Sequence, residues 1–566
     1  MHTFRRISLV LALGLAVPGA AQAADGLAGP YLAARQAAMQ SDYRAAAEYF
    51  TRALIADPKN PQLLENAVLT QLAVGEPDRA LPIARQMLSI DTKSQISVLV
   101  VLSDLARQGK FDEALADLDK GYSAGPLIDG LFRAWALVGQ GQMGEALTAF
   151  DAVAQTKGME PFGLYHKALA LASVGDFEGA EAIFVKAGPL LDSSRRGVIA
   201  HAEILSQLER NADAVALIDQ VFKSDNDPGV AALRQKLQAG GPVAFDVVGT
   251  ATDGMSEMFL TVAGAIAGDT PDPYTLAYAR LAESLRPTSV DAMFLVADLL
   301  ERQGQHDLAT ASFAEVPRSD PAFLSAELGR GEALINAGKV DAAIEVLEQL
   351  AKDHPESGMV WVSLGDTLRR QDRYADAVKA YDKGIATFKG DAPAQWPVYY
   401  ARGIANERTK DWPGAERDFR KALALSPDQP LVLNYLGYSY LEMKTNLDEA
   451  LSMIERAVKA RPDDGYITDS LGWALYRLGR YDEAVAPMER AVELTPVDAI
   501  VNDHLGDVYW AVGRKREAEF QWKRALSFKP PTEEEAKRIR RKLEIGLDAV
   551  LAEEGAPPLA VSQNGN

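Results

Sequence analysis

The chain has 566 residues, of which 48% are hydrophobic and 24% are charged, a composition typical of folded domains or repeat arrays and unlike that of a disordered chain. Its 59 basic and 79 acidic residues give a formal net charge of −20, which argues against a nucleic-acid-binding protein because that class needs a basic surface. The sequence contains no cysteine, so disulfides, thiolate metal sites, cysteine nucleophiles and a lipid anchor on cysteine are excluded.

The first 23 residues have the features of a cleaved secretory signal peptide. Arg5 and Arg6 precede an uncharged apolar run over 7–17, and Ala21-Gln22-Ala23 forms a small-x-small cleavage pattern. The apolar run is too short to span a bilayer. A buried first helix is the alternative interpretation. We expect export, and a mature protein in the periplasm without a transmembrane segment.

A repeat of about 34 residues runs through the rest of the chain. Repeat units start at 27, 61, 95, 127, 161 and 195, and again at 256, 290, 324, 358, 396, 430, 465 and 499. The twentieth position of these fourteen units is alanine in all but one, where it is threonine. These residues are Ala46, Ala80, Ala114, Ala146, Ala180, Ala214, Thr275, Ala309, Ala343, Ala377, Ala415, Ala450, Ala484 and Ala518.

The spacing and residue types resemble the tetratricopeptide repeat (TPR), a helix–turn–helix unit of 34 residues. The resemblance implies an all-α fold, a right-handed α-solenoid of about fourteen helix pairs. Small side chains are expected where the two helices of a unit cross, with alanine at position twenty and glycine at position eight of the later units. Because no unit covers its apolar face alone, neighbouring units bury it together.

The repeat pattern also predicts the organisation of the chain. Six units occupy 27–228, an irregular connector occupies 229–255, and eight units occupy 256–532. The connector is interpreted as a loop insertion or as a kink between two sub-solenoids. Thr532 and Glu535 form a predicted capping box that starts a capping helix over 533–555, followed by a flexible tail over 556–566. The basic run from Lys537 to Lys542 is expected to form a solvated outer face of that helix.

The sequence offers little for catalysis. The five histidines after residue 23 are scattered among the repeat units, so a metal site is not expected. No glycine-rich phosphate loop follows a predicted strand, and the repeats leave no room for a separate catalytic domain. We therefore predict a non-enzymatic protein without cofactors.

In the family that the repeats resemble, ligands lie along the concave face, which is lined by the first helix of each unit. In the last four units this face carries aromatic and hydrogen-bonding side chains that suit partner binding. The candidate partner-binding residues are Tyr400, Arg408, Asn434, Tyr438, Tyr466, Trp473, Tyr476, Arg477 and Trp510. The alternative is that some of these rings complete the packing between neighbouring first helices.

The predicted function is that of a protein–protein interaction scaffold or adaptor in the bacterial envelope, holding a peptide or protein partner in the concave groove. By resemblance to other exported repeat proteins, the partner would be an envelope protease or an assembly machinery. A solenoid that binds carbohydrate or peptidoglycan is the alternative, because aromatic rings also stack on sugars.

Overall fold

The fold was analysed in a computed structural model that describes residues 27–90, 93–222, 227–268 and 272–559. The predicted signal peptide and residues 560–566 of the predicted tail lie outside these ranges. The described residues form 32 α-helices and one short 3-10 turn over Pro393–Gln395. The all-α prediction is confirmed.

Most of the helices follow one another as helix–turn–helix pairs. The first six pairs are α1 (Ala28–Met39) with α2 (Tyr43–Ala56), α3 (Pro61–Val74) with α4 (Pro77–Ser89), α5 (Gln95–Arg107) with α6 (Phe111–Asp119), α7 (Pro126–Gly139) with α8 (Met143–Gln155), α9 (Glu160–Ser173) with α10 (Phe177–Ala187), and α12 (Arg195–Gln207) with α13 (Asn211–Val221). The short α11 (Pro189–Asp192) and the single α14 (Pro228–Ala239) lie between pairs.

Eight further pairs and two terminal helices complete the chain. The pairs are α15 (Ala251–Ile266) with α16 (Asp272–Leu285), α17 (Val290–Arg302) with α18 (His306–Ala314), α19 (Phe323–Asn336) with α20 (Val340–Asp353), α21 (Gly358–Arg370) with α22 (Tyr374–Ala386), α23 (Trp396–Arg408) with α24 (Trp412–Leu425), α25 (Pro430–Glu442) with α26 (Leu447–Ala460), α27 (Gly465–Arg477) with α28 (Tyr481–Leu494), and α29 (Ala499–Ala511) with α30 (Lys515–Ser527). The terminal helices are α31 (Glu533–Ile545) and α32 (Leu547–Glu553).

Small residues allow the two helices of a pair to cross closely. The side chains at all fourteen twentieth positions have an exposed fraction of 0%. At position eight, a Cβ added to Gly506 would lie 2.4 Å from the Trp522 ring, and one added to Gly472 would lie 2.5 Å from the Met488 side chain. A real Cβ does not tolerate such distances, so glycine is required at these two positions.

Two compact units divide the chain, one up to Val346 and the other from Leu347 onward. The first unit has a large apolar core that includes the fully buried Trp135 and Phe259. The second unit has its main clusters around Phe419 and Trp522. Helix α20 contains the division between the two units.

The segment predicted as a connector contains the short helix that Leu233 and Leu237 indicate, and the next helix starts earlier than the repeat pattern predicts. Helix α14 occupies its first part, and α15 begins at Ala251, before the predicted repeat start at 256. Thr250 explains the earlier start, because its hydroxyl accepts the backbone N–H of Asp253 while the Asp253 carboxylate accepts the backbone N–H of Thr250. This reciprocal capping box satisfies two backbone donors at the helix start.

The C-terminal capping segment consists of two helices. The predicted capping box is present, with the Thr532 hydroxyl accepting the N–H of Glu535 and the Glu535 carboxylate accepting that of Thr532. Gly546 separates α31 from α32 with a φ of +82°, a conformation that favours glycine. A Cβ at Gly546 would lie 2.6 Å from Trp510, so the break places α32 against the last helix pair.

Candidate protein-interaction face

In the first unit, the face formed by the first helices of the pairs is covered by the chain itself. Helix α16 packs against α3 and α5, and α15 packs against α5, α7 and α9. The Tyr165 hydroxyl donates a hydrogen bond of 2.9 Å to Glu257, and Thr252 donates one of 3.3 Å to the Ala106 carbonyl. We call this covered surface the filled face. It leaves no open groove along α3 to α9 in the described part of the first unit.

The sequence contains a signal for the filled face that repeat alignment alone does not use. At the positions that line a groove, units 95 and 127 carry mainly apolar residues, including Ile96, Leu99, Leu131 and Trp135. Helix α5 is buried at every position from Ile96 to Ala106. A helix that is apolar on all sides is buried on all sides. The residue types of these two units therefore predict that another segment packs into their groove.

At the end of the first array, the side chains of α12 bind the backbone of residues 243–246. Ser206 accepts the N–H of Val243 at 2.8 Å, Glu203 accepts the N–H of Asp246 at 3.0 Å, and Gln207 donates to the Val243 carbonyl. These three residues occupy successive groove-facing positions of α12. The chain therefore contains an internal example of a first helix that binds a non-helical segment through its backbone.

Glu203 is almost fully buried, with an exposed fraction of 4%. Burial, together with the neighbouring Asp246 carboxylate, raises the pKa of Glu203 to about 8 from its ordinary value of 4.5. The folded protein therefore keeps a proton that the unfolded chain loses over this range, so this group lowers the free energy of unfolding as pH rises from about 4.5 to about 8.

We expect Glu203→Gln to gain stability relative to the parent protein across this window, with the difference levelling off above pH 8. Glutamine keeps the acceptor for the Asp246 N–H and removes the titration. Hydrogen exchange of α12 at a series of pH values, corrected for the intrinsic exchange rate at each pH, measures the difference, and Glu178→Gln, at an exposed position of α10, is the matched control. A difference between Glu203→Gln and the parent that is the same at every pH contradicts the prediction.

The second unit places a rigid aromatic stack on the first-helix face. The Trp473 ring lies 3.9 Å from the His504 ring at an interplanar angle of 14°, and 4.8 Å from the Tyr476 ring at 17°. Trp473 Nε1 donates to Glu442 at 3.2 Å, and Arg477 Nη1 donates to the same carboxylate oxygen at 2.9 Å. We call Tyr438, Glu442, Trp473, Arg477 and His504 the aromatic platform.

His504 connects the aromatic platform to a buried acid. Its Nδ1 lies 3.0 Å from Asp469 Oδ2. Burial by itself lowers the pKa of His504, but the Asp469 carboxylate, with help from Asp503 and Asp507, outweighs it and raises that pKa above 6.5. The imidazole stacks on the Trp473 ring, and in its protonated form this stacking gains a cation–π contribution.

The other predicted binding residues have different surroundings. Tyr400 is half-buried, with its ring 6.0 Å from Phe419 and 5.9 Å from Tyr435, and it packs into the core as the alternative interpretation states. Tyr466 is 60% exposed and its hydroxyl donates to Asp498 at 3.3 Å. Arg408 is exposed and pairs with the adjacent Glu407.

Asn434 and Tyr438 belong to the neighbouring first helix, α25. The Asn434 Oδ1 atom is buried and has no hydrogen-bond partner within the part of the chain that the structure describes. Tyr438 is half-buried, and burial together with Glu442 raises the pKa of its hydroxyl, so this hydroxyl remains a neutral hydrogen-bonding group.

The terminal helices occupy the end of the first-helix face. Trp510 Nε1 donates to Asp548 of α32 at 2.9 Å, and Gly546 lies directly against the Trp510 ring. Trp510 is therefore covered by the chain, unlike the open position that the sequence predicted. The physical reason is the second helix, α32, which repeat alignment does not distinguish from a continuous capping helix.

The prediction that the basic run of the capping helix faces solvent is wrong for Lys542. The Lys542 side chain has an exposed fraction of 0%, and its Nζ donates to Asp503 at 2.8 Å and to Asp507 at 2.6 Å. Arg538 Nη1 lies 3.6 Å from the other oxygen of Asp507. Both aspartates lie on the first-helix face of α29, so α31 is bound to that face by opposite charges.

Comparison with known proteins supports the repeat assignment. A family model described as tetratricopeptide repeat matches residues 31–94, 328–393 and 436–499. Together these three segments make up about a third of the chain. These three matches lie in different parts of the chain, in agreement with an array that runs through both units.

Curated TPR relatives match only part of the chain. A TPR repeat-containing protein of Pseudomonas aeruginosa is 31% identical over 191 residues, which cover 33% of this chain and 31% of that protein. The human tetratricopeptide repeat protein 13 is 26% identical over 193 residues, covering 33% of this chain and 22% of that protein. The chain therefore spans about a third or less of these relatives' lengths.

A solved structure of the APC/C hetero-tetramer Cut9–Hcn1 is similar over 92% of this chain and 96% of that chain, with 16% identity and a TM-score of 0.37. Among the described residues of this protein, no helix is long and apolar enough to cross a membrane. TPR proteins typically mediate protein–protein interactions and are generally non-catalytic.

Proposed function

We propose that this protein is a protein-interaction scaffold that captures a peptide or a protein segment on the aromatic platform of its second unit. The observation that carries the proposal is the contrast between the two first-helix faces. The filled face of the first unit is occupied by α15 and α16, whereas the aromatic platform presents half-buried rings and an accessible Glu442–Arg477 pair.

The platform has the properties of an interaction hot spot. Stacked rings bring a large apolar contact area at little cost in side-chain entropy, because the stack already holds Trp473 in one orientation. The carboxylate and guanidinium beside the ring offer an acceptor and donors to a peptide backbone. The segment over 243–246 on α12 supports this mode of binding, since groove-facing side chains there hold backbone N–H and C=O groups.

Site-specific crosslinking in intact cells tests the platform. We expect a photo-crosslinking amino acid at Tyr438 to capture a protein partner. Trp473→Ala should weaken the binding of that partner by about 2 kcal/mol or more, roughly 30-fold in Kd, and should reduce capture accordingly. The same crosslinker at Phe520, which is 66% exposed on the second helix α30, is the control for random encounters.

Three outcomes decide between the candidates. Equal capture from both positions, or capture that is unaffected by Trp473→Ala in a folded protein, contradicts the platform. Retention on purified cell-wall sacculi without any protein crosslink supports the carbohydrate-binding alternative. Circular dichroism of Trp473→Ala verifies that the helix content is intact.

The bacterial envelope is the proposed location, on the basis of the signal-peptide pattern over 1–23. Within the envelope, an adaptor for a processing protease or for an assembly machinery is the narrower proposal. Mass spectrometry of the protein from cells tests the location, because export with cleavage produces a chain that begins at Ala24. An uncleaved chain in the cytoplasm contradicts it.

A further inference from the structure

The first unit contains a cavity that the filled face and the aromatic platform do not use. Its volume is about 770 Å³, within the range of sites that bind small molecules. It is lined by the groove side of α12, by α14, by the segment over 243–247, and by the starts of α17 and α19. The α-solenoid repeat itself does not require such a space.

Arg195 and Arg196, two of the four basic residues that line the cavity, already have acidic partners. Arg195 Nη1 donates to Asp291 at 2.6 Å, and Arg195 also pairs with Asp227. Arg196 pairs with Asp291 and with the buried Glu257. These two guanidinium groups are thus neutralised by three carboxylates.

Carboxyl groups without a cation line the same wall. Glu203 is nearly buried and accepts the N–H of Asp246, and among the described residues no basic side chain lies within ion-pair distance of either carboxylate. Arg286 lies nearby but donates to the backbone carbonyls of Val247 at 2.6 Å and of Asp246 at 2.8 Å. A buried carboxylate without a counter-charge is costly, and a cationic ligand removes that cost.

The apolar part of the wall includes Ile199, Leu233, Val243 and Phe294. We propose that the cavity binds a small organic cation, a primary ammonium group on an apolar body, with the ammonium at Glu203 beside Asp246. The raised pKa of Glu203 agrees with an excess of negative charge at this wall.

Calorimetric titration of the full-length protein with phenethylamine, at a pH of about 8 where Glu203 is partly ionised, tests the proposal. We expect saturable binding of one molecule per chain. 2-Phenylethanol, which has the same shape without the charge, should bind at least about tenfold more weakly. 3-Phenylpropionate should not bind.

Two variants locate the site. Glu203→Gln should weaken phenethylamine binding by about tenfold or more, whereas Glu178→Gln on the exposed side of α10 should leave it unchanged. Ala232→Phe, which adds a ring to the cavity wall, should abolish binding while the Glu203 carboxylate stays in place. Melting curves verify that both cavity variants are folded.

Four results overturn the proposal. These are no phenethylamine binding, equal binding of the amine and the alcohol, tighter binding of the carboxylate, and unchanged binding by Glu203→Gln. Tighter binding of 3-phenylpropionate would assign the cavity to anions instead. None of these results bears on the aromatic platform, which lies in the second unit.

Discussion

Gly254→Leu should lower the free energy of unfolding of the first unit by about 3 kcal/mol or more, the upper range for overpacking a core. A Cβ at Gly254 would lie 2.3 Å from the ring of Trp135, which is fully buried. The indole cannot move aside, because it packs 5.4 Å from Phe150 and donates to His166 at 3.2 Å. Burial lowers the pKa of His166 to about 3, so this imidazole is a neutral acceptor at ordinary pH.

The same helix contains a matched control. Apart from the backbone of its own helix, no atom of the described residues lies within 4 Å of a Cβ added to Gly264, which is exposed near the end of α15. Gly264→Leu should therefore leave stability unchanged or raise it by up to about 1 kcal/mol through helix propensity. Hydrogen exchange of α7 and α15 is the suitable measurement, because an array of repeats does not unfold in two states. Equal protection in both variants would show that α15 does not pack tightly on the filled face.

Lys542→Met should destabilise the C-terminal end of the second unit by about 3–5 kcal/mol, the cost of removing one partner of a buried ion pair. The variant leaves Asp503 and Asp507 facing each other without the ammonium that now lies within 2.8 Å of both. Burial and Asp503 raise the pKa of Asp507 even in the presence of Lys542. Hydrogen exchange of α29 and α31 measures the effect.

Lys537→Met is the control in the same helix, since Lys537 is exposed and carries the same charge. This variant should change stability by less than about 0.5 kcal/mol. The release of α31 in Lys542→Met should also expose Trp510, which the turn at Gly546 between α31 and α32 now covers. If the amides of α31 exchange equally slowly in both variants, the buried charges do not stabilise the packing of the terminal helices.

The repeat positions predicted how the two helices of each pair pack, because the need for a small residue at the helix crossing arises within each pair. Thirteen alanines and one threonine at the crossing point are needed wherever two helices of a pair approach each other, and all of them are buried. Position-eight glycines such as Gly472 and Gly506 follow the same requirement. The turn glycines are local as well, with Gly75 at a φ of +89° as one example.

The candidate site was predictable only in part. Trp473, Tyr476 and Arg477 lie together because one helix carries them, and repeat register alone placed them on one face. Tyr400 and Trp510 also lie at repeat positions that line the groove, yet Tyr400 packs against Phe419 and α32 covers Trp510. Which rings remain accessible depends on what packs over them, and a repeat pattern contains no information on that.

The sequence by itself determined the helix pairs, their crossing points and the capping box at Thr532, because each depends on residues close together in the chain. Only the tertiary structure decided that α15 and α16 fill the face of the first unit, and that Glu203 lines a cavity. It also decided that Lys542 is buried against two aspartates. These contacts join residues 35 to more than 200 positions apart, and their energies come from burial and charge pairing, which only the folded chain brings together.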